Sequence, residues 1–161
     1  MDKKKPIGIF DSGVGGLTVV KSFLEKMPGE SFIYFGDTAH VPYGNKSEQQ
    51  LFGYARQILS YLQNRGVKAV IVACGTHSSL TLPSLAKQCA LPMLGVVKAG
   101  ARAAAGITRN GMIGVLATQA TVGSLSYSRE ISAIDKTYQV FEKACPRFVP
   151  LVESGQLNGP E

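Results

Sequence analysis

No two of the three cysteines form a CxxC pair. Cys74, Cys89 and Cys145 are odd in number and widely spaced, which argues against a disulfide framework and against a zinc site. No apolar run reaches the length of a membrane span. The basic start Met1-Asp2-Lys3-Lys4-Lys5 leads into an apolar stretch that Asp11, Ser12 and glycines break at once. That is not the pattern of a secretory signal peptide, so a cytoplasmic protein with reduced thiols is expected. Charge is sparse, at 17% of residues against 45% hydrophobic. This balance can supply a core and argues against disorder. The formal charge of +6 has no aromatic-and-basic stripe behind it, and part of it sits in Lys3, Lys4 and Lys5. Nucleic acid is therefore not the expected partner, and acidic small molecules suit the same charge. Repeats and low-complexity tracts are also missing.

What is present is an alternation of strand and helix over 161 residues, enough for one domain or two small ones. Residues 6–10 read as a short buried strand, ended by Asp11-Ser12-Gly13-Val14-Gly15-Gly16. Leu17, Val20, Leu24 and Met27 fall on one helical face, and Pro28-Gly29 stops that helix. Residues 31–35 are the next strand, ending at Gly36-Asp37. Ser47 and Gln50 form a capping-box pattern before a helix faced by Leu51, Tyr54, Ala55, Ile58, Leu59 and Leu62, with Gly66 as its terminator. Residues 67–73 form a continuous apolar run suited to a strand buried on both faces, and a helix follows at Cys74. Strands are expected at 93–97, 112–117 and 137–141, with helices at 99–106 and after Thr118. This is the signature of an α/β protein with a parallel sheet and helices on both faces. A boundary is placed after residue 97, dividing a first unit, 1–97, from the start of a second similar unit, 98–161.

Ligands of open parallel sheets bind beyond the carboxyl ends of the strands. Asp11-Ser12, Gly36-Asp37, Cys74-Gly75-Thr76 and Thr118 all end strands, so they converge if the strands adjoin. Cys74 at a helix start is placed to form a thiolate, because a helix amino terminus favours negative charge. Such a thiolate serves as nucleophile or base; the alternative is a small buried hydrophobe. Asp11 is a general base, a binder of an ammonium group, a partner for Cys74, or a helix cap. Gly13, Gly15 and Gly16 allow close backbone approach but lack dinucleotide spacing and the Walker lysine. Thr76, Thr118 and Thr121 suit a carboxylate, or are ordinary caps. His77 reads as a solvated or capping residue rather than as a Cys–His hydrolase partner. Cys89, on a helix, and Cys145 read as structural.

Several segments together resemble the glutamate racemases of the aspartate/glutamate racemase family. They are Asp11-Ser12-Gly13-Val14-Gly15-Gly16-Leu17-Thr18, Tyr34-Phe35-Gly36-Asp37-Thr38-Ala39, Val41-Pro42-Tyr43-Gly44, Ala73-Cys74-Gly75-Thr76, Gly114-Val115-Leu116-Ala117-Thr118, Ala144-Cys145-Pro146 and Phe148-Val149-Pro150-Leu151-Val152-Glu153. They run in the family's order from about Ile7 to Glu153. The resemblance implies two pseudo-symmetric α/β domains around one site, neither pyridoxal phosphate nor metal, and two thiols facing opposite sides of a glutamate α-carbon. It implies that Cys74 is the thiol that takes the proton from the D enantiomer, assisted by Asp11, and that Glu153 stands near the second thiol. Ser12, Tyr43, Gly44, Gly75, Thr76, Thr118 and Thr121 match substrate-binding positions. A bacterial cytoplasmic role in feeding D-glutamate to peptidoglycan is implied in the same way.

Three departures from the family pattern stand out. Gly75 replaces the more usual Asn, and Lys98-Ala99 replaces an acidic-Pro pair. The family also continues for roughly another hundred residues, as ordinary two-domain size would suggest. That stretch carries the second cysteine in a Cys-Thr-His motif, which the 161 residues lack; Cys145 does not stand in for it. These features predict a half-site that is inactive in racemisation by itself, with apolar sheet surface exposed and self-association as a result. An aspartate racemase and a non-catalytic carboxylate-binding module are the alternative readings.

Overall fold

The computed structural model describes residues 4–43, 46–156 and 158–159. Strand β1, Ile7–Asp11, is buried along its whole length, and the alternation of its side chains sets the layers. Ile7 and Ile9, with Ile71, face Val19, Val20 and Phe23 of helix α1, Leu17–Lys26. Phe10, with Val70 and Val72, faces the other way. Ala55, Ile58, Leu59 and Leu62 of α2, Glu48–Asn64, and Leu85 of α4, Leu82–Gln88, cover that side. The sheet is parallel with order β2-β1-β3-β4, where β2 is Phe32–Gly36, β3 is Ala69–Val72 and β4 is Met93–Gly95. Helices on both faces of a parallel sheet give the expected three-layer α/β class.

Local chemistry fixes the ends of α2. The Ser47 hydroxyl accepts from the Gln50 N–H and the Gln50 side chain accepts from the Ser47 N–H, the reciprocal cap read from the sequence. Gly66 follows at φ +72°, the left-handed conformation that lets the chain leave a helix.

A second parallel pair lies beside the first sheet. Strand β5, Met112–Ala117, pairs in register with β6, Gln139–Ala144. Around it lie α5, Val96–Ile107, α6, Gln119–Gly123, α7, Ser126–Ser132, and α8, Phe148–Glu153. One face buries Ile113 and Val115 against Ala101 of α5 and Ile131 of α7. The opposite face leaves Met112, Leu116 and Phe141 at 51%, 62% and 56% exposure. The expected apolar sheet surface is therefore present.

Four local expectations are corrected. The buried face of α1 is Val19, Val20, Phe23 and Met27, while Leu17 and Leu24 are exposed. Two apolar arcs overlap on this helix, and the sheet takes the one that carries Phe23. The strand expected at 93–97 ends at Gly95, because α5 begins at Val96 rather than at 99. The Ser78 hydroxyl accepts from the Val96 N–H at 3.1 Å and pins that helix start. The last strand is Gln139–Ala144 rather than 137–141; Thr137 instead donates to the Asp135 carboxylate in a turn. Cys89 caps the end of α4 rather than lying within it. Among the described residues no helix is long and apolar enough to cross a membrane.

Candidate active site

β1, with β2 and β3 on either side, brings Asp11, Asp37 and Cys74 to one end of the sheet. Cys74 caps the short helix α3, Gly75–Leu80, and its sulfur accepts from the His77 N–H at 3.4 Å. The thiol is 4% exposed. Its pKa is pushed up to about 11, first by burial and then by the charge of Asp11. Hydrogen bonds from the His77 amide and from Ser12, through side chain and backbone, pull the other way and lose. The expected lowering by the helix start is thus overturned: α3 is short, and desolvation outweighs its dipole.

The Asp11 carboxylate accepts from Gly16 N–H at 2.9 Å and Gly13 N–H at 3.3 Å. It therefore organises the glycine turn at the start of α1 while facing the thiol electrostatically. Gly16 has no room for a side chain, since a Cβ there would sit 2.7 Å from the Asp11 Cβ and 3.0 Å from the Ala73 Cβ. The Tyr34 hydroxyl donates to the Gly13 carbonyl at 2.7 Å and ties β2 to the same turn. Glu153, reaching over from α8, accepts from the Val14 N–H at 3.2 Å. It closes this turn from the side of the second sheet.

Two adjoining clefts meet at this end. One, of about 330 Å³, is lined by Asp11, Ser12, Cys74 and Gly75, with Thr118, Thr121 and Glu153 opposite. The other, of about 270 Å³, is lined by Ser12, Tyr43, Thr76 and Thr118, with Pro146 and Val149. The wall between the sheets is built of hydroxyls. Thr76 and Thr118 meet at 3.1 Å, the Thr118 hydroxyl donates to the Thr121 hydroxyl at 3.0 Å, and the Thr121 N–H donates to Thr118. Thr118 is thus both the cap of α6 and part of the cleft. Behind them the Ser126 hydroxyl donates to Ser79 at 2.8 Å, and Ser79 donates to the Gly75 carbonyl at 2.8 Å.

The structure therefore gathers Asp11, Ser12, Tyr43, Cys74, Gly75, Thr76, Thr118, Thr121 and Glu153 around the two clefts. Gly44 lies outside the described residues. His77 is corrected: it is fully buried rather than solvated. Its ring bonds the Thr81 hydroxyl, while only its amide meets Cys74, so the paired Cys–His arrangement is not formed. Asp37, expected among the converging strand ends but given no role there, accepts from the Tyr43 hydroxyl at 2.6 Å and binds His40 at 2.7 Å. Sequence reasoning passed over Cys145 as a lining residue, having read it as structural. The signal for Cys145 was available: Ala144 pairs with Ala117, so Cys145 follows β6 as Thr118 follows β5.

The fold and the site together define a thiol-centred α/β protein, its cleft at the carboxyl ends of parallel strands. The chain belongs to the Asp/Glu/Hydantoin racemase family, whose family model matches residues 18–157. It is 51% identical to a glutamate racemase of Thermoanaerobacter sp. (strain X514) over 156 residues, 97% of this chain and 58% of that relative. A crystal structure of a glutamate racemase isoform of Bacillus anthracis superposes with a TM-score of 0.90 at 37% identity, covering 93% of this chain and 56% of the other. That of the Francisella tularensis glutamate racemase in complex with D-glutamate does so at 0.90 and 36%, covering 98% and 59%. The chain therefore spans less than two thirds of the length of these relatives.

Proposed function

We propose that this chain supplies one half of a cofactor-independent glutamate racemase site, with Cys74 as the thiol that exchanges a proton with the substrate α-carbon. The supporting observation is the meeting of Cys74, Asp11 and the Thr76–Thr118–Thr121 hydroxyls at one cleft. The substrate α-carboxylate takes the hydroxyls, and its ammonium group takes the Asp11 side. That pairing offsets the Asp11 charge, which with burial holds the thiol protonated, so binding lowers the cost of forming the thiolate. The developing charge on the α-carbon is then met by donors held in place before reaction. Ser12, Tyr43, Gly44 and Gly75 complete the binding set, and Glu153 serves the opposing, second-thiol side.

The two units are 1–97 and 98–161, the site lies between them, and the working enzyme acts in a bacterial cytoplasm to make D-glutamate for the cell wall. Cys145 also lines the first cleft but does not match the second catalytic thiol, so the 161-residue chain alone removes a proton through Cys74 without delivering one from the other face. The uncovered β5–β6 face favours self-association of this chain.

The test is to incubate the purified chain with D-glutamate in D2O and follow the α-proton by NMR and the enantiomers by chiral chromatography. Deuterium exchange without inversion, abolished in Cys74→Ser, is expected. Racemisation that Cys74→Ser abolishes would overturn the half-site reading. Exchange that survives Cys74→Ser, or no exchange at all, would overturn the role of Cys74.

A further inference from the structure

His77 is a buried titratable side chain that the reading above leaves without work. It is 0% exposed. The Thr81 hydroxyl donates to the His77 carbonyl at 3.1 Å and meets the His77 Nδ1 at 3.0 Å. A hydroxyl has a single hydrogen, so with that hydrogen on the carbonyl Thr81 can only accept from the ring. That arrangement makes the imidazole the Nδ1–H tautomer, and among the described residues its Nε2 has no partner. Burial holds the ring neutral, with its pKa lowered to about 4.

The ring stands between two aromatic edges. Phe10 meets it at 5.4 Å and 66°, and Tyr43 at 4.9 Å and 82°, both favoured edge-to-face geometries. Tyr43 in turn shares a buried cluster with Leu51 and Cys74. Its hydroxyl is held from the other side by the Asp37 carboxylate. The tyrosine packed in the thiol's cluster is thus gripped twice, at its ring by His77 and at its hydroxyl by Asp37.

We propose that His77 is a positioning residue that acts through Tyr43, its ring holding the tyrosine in the cluster that shields Cys74 from water. Thr81 bonds the imidazole, and the ring itself, through its edge contact, sets the place of Tyr43. The cost is a buried Nε2 left without a hydrogen-bond partner. The functional meaning rests on Cys74 as the working thiol. The geometric claim does not, and alkylation reads it whether or not the chain acts on glutamate.

Two variants separate the ring from its anchor. His77→Phe keeps both edge contacts and loses the bond to Thr81. His77→Asn keeps a donor for Thr81 and loses the ring. The readout is the pH profile of iodoacetamide labelling at Cys74, followed by peptide mass spectrometry so that Cys89 and Cys145 are counted apart. In His77→Asn the labelling rate at neutral pH rises about tenfold and the midpoint of the profile falls by about one unit, as expected when the largest cause of the raised thiol pKa is relieved. In His77→Phe the rate stays within about twofold. Unchanged labelling in a folded His77→Asn overturns the proposal. Should that variant fail to fold, NMR of the unaltered chain decides: a neutral Nδ1–H imidazole with cross-ring contacts to Tyr43 supports it, and a protonated or Nε2–H ring, or an unrestrained Tyr43, refutes it.

Discussion

The neutral state of His77 makes an acid-stability prediction whose sign and size follow from its burial. In the unfolded chain a histidine binds its proton with a pKa near 6.5, while in the fold the value is about 4. Burial lowers it, and Asp37 and Asp11 pull it partly back. The unfolded state therefore takes up the proton first as pH falls. Stability is unaffected by this group above 6.5, declines by about 1.4 kcal/mol per pH unit between 6.5 and 4, and is not further reduced by it below 4. The whole loss is about 3 kcal/mol, a large share of the 5–15 kcal/mol typical of a domain. Urea unfolding of the parent chain and of His77→Phe, each at several pH values from 7.5 to 4, measures it. Every carboxylate and His40 are common to both chains, so apart from the coupling of Asp37 and Asp11 to His77 they cancel in the difference. The gap between the two stabilities should close or reverse in favour of the phenylalanine variant by about 3 kcal/mol across that window. Parallel curves would show that His77 titrates normally, and the account of a dry imidazole would fail.

Other expectations can be checked alongside. Asp11→Asn removes the charge ranked second among the causes that raise the Cys74 pKa, so the pH midpoint of Cys74 alkylation should fall; a rise would contradict the electrostatic reading. Gly75→Asn should fold as well as the parent, because a Cβ there meets only the Thr121 hydroxyl at 4.0 Å. It should also tighten binding of D-glutamate by calorimetry, with a gain of about 1 kcal/mol for one added hydrogen bond. Gly16→Ala should lower stability by about 1–3 kcal/mol through overpacking against Asp11 and Ala73, and a neutral melting temperature would argue against that turn geometry. Phe141→Lys on the uncovered β5–β6 face should shift sedimentation toward monomer, and an unchanged distribution would place the contact elsewhere.

Much of the first sheet was legible because its chemistry is local. The capping box at Ser47, the stop at Gly66 and the apolar run ending at Cys74 each specify an element from neighbours in sequence. The clustering of Asp11, Cys74 and Thr118 followed from the rule that parallel strands deliver ligands at their carboxyl ends. What escaped was decided by tertiary packing. Helix α1 offers two apolar arcs, and only the sheet chooses Phe23 over Leu24. The start of α5 at Val96 depends on a serine from α3, 18 positions back. His77 looked like a polar residue for the surface, and only the rings of Phe10 and Tyr43 and the hydroxyl of Thr81 make its burial tolerable. The thiol pKa was misjudged for the same reason, since a helix start can be read from sequence and the depth of its burial cannot.

The join between the two sheets has a mechanical consequence. Two of the join's contacts are made hydroxyl to hydroxyl, Thr76 to Thr118 and Ser79 to Ser126, beside the Glu153 carboxylate on the Val14 N–H, and among the described residues no buried apolar cluster spans both sheets. Each hydroxyl carries a hydrogen that swivels and oxygen lone pairs that accept from any direction nearby. Contacts of this kind can be parted, shifted slightly and remade without opening a void or stranding a charge, whereas a close-packed apolar seam resists any slide. The join acts as a bearing, and the cleft runs along it. The gap across which a substrate must fit is bounded by contacts that can be remade, while the thiol and the carboxylate that face it stand at the ends of adjacent strands of the four-stranded sheet.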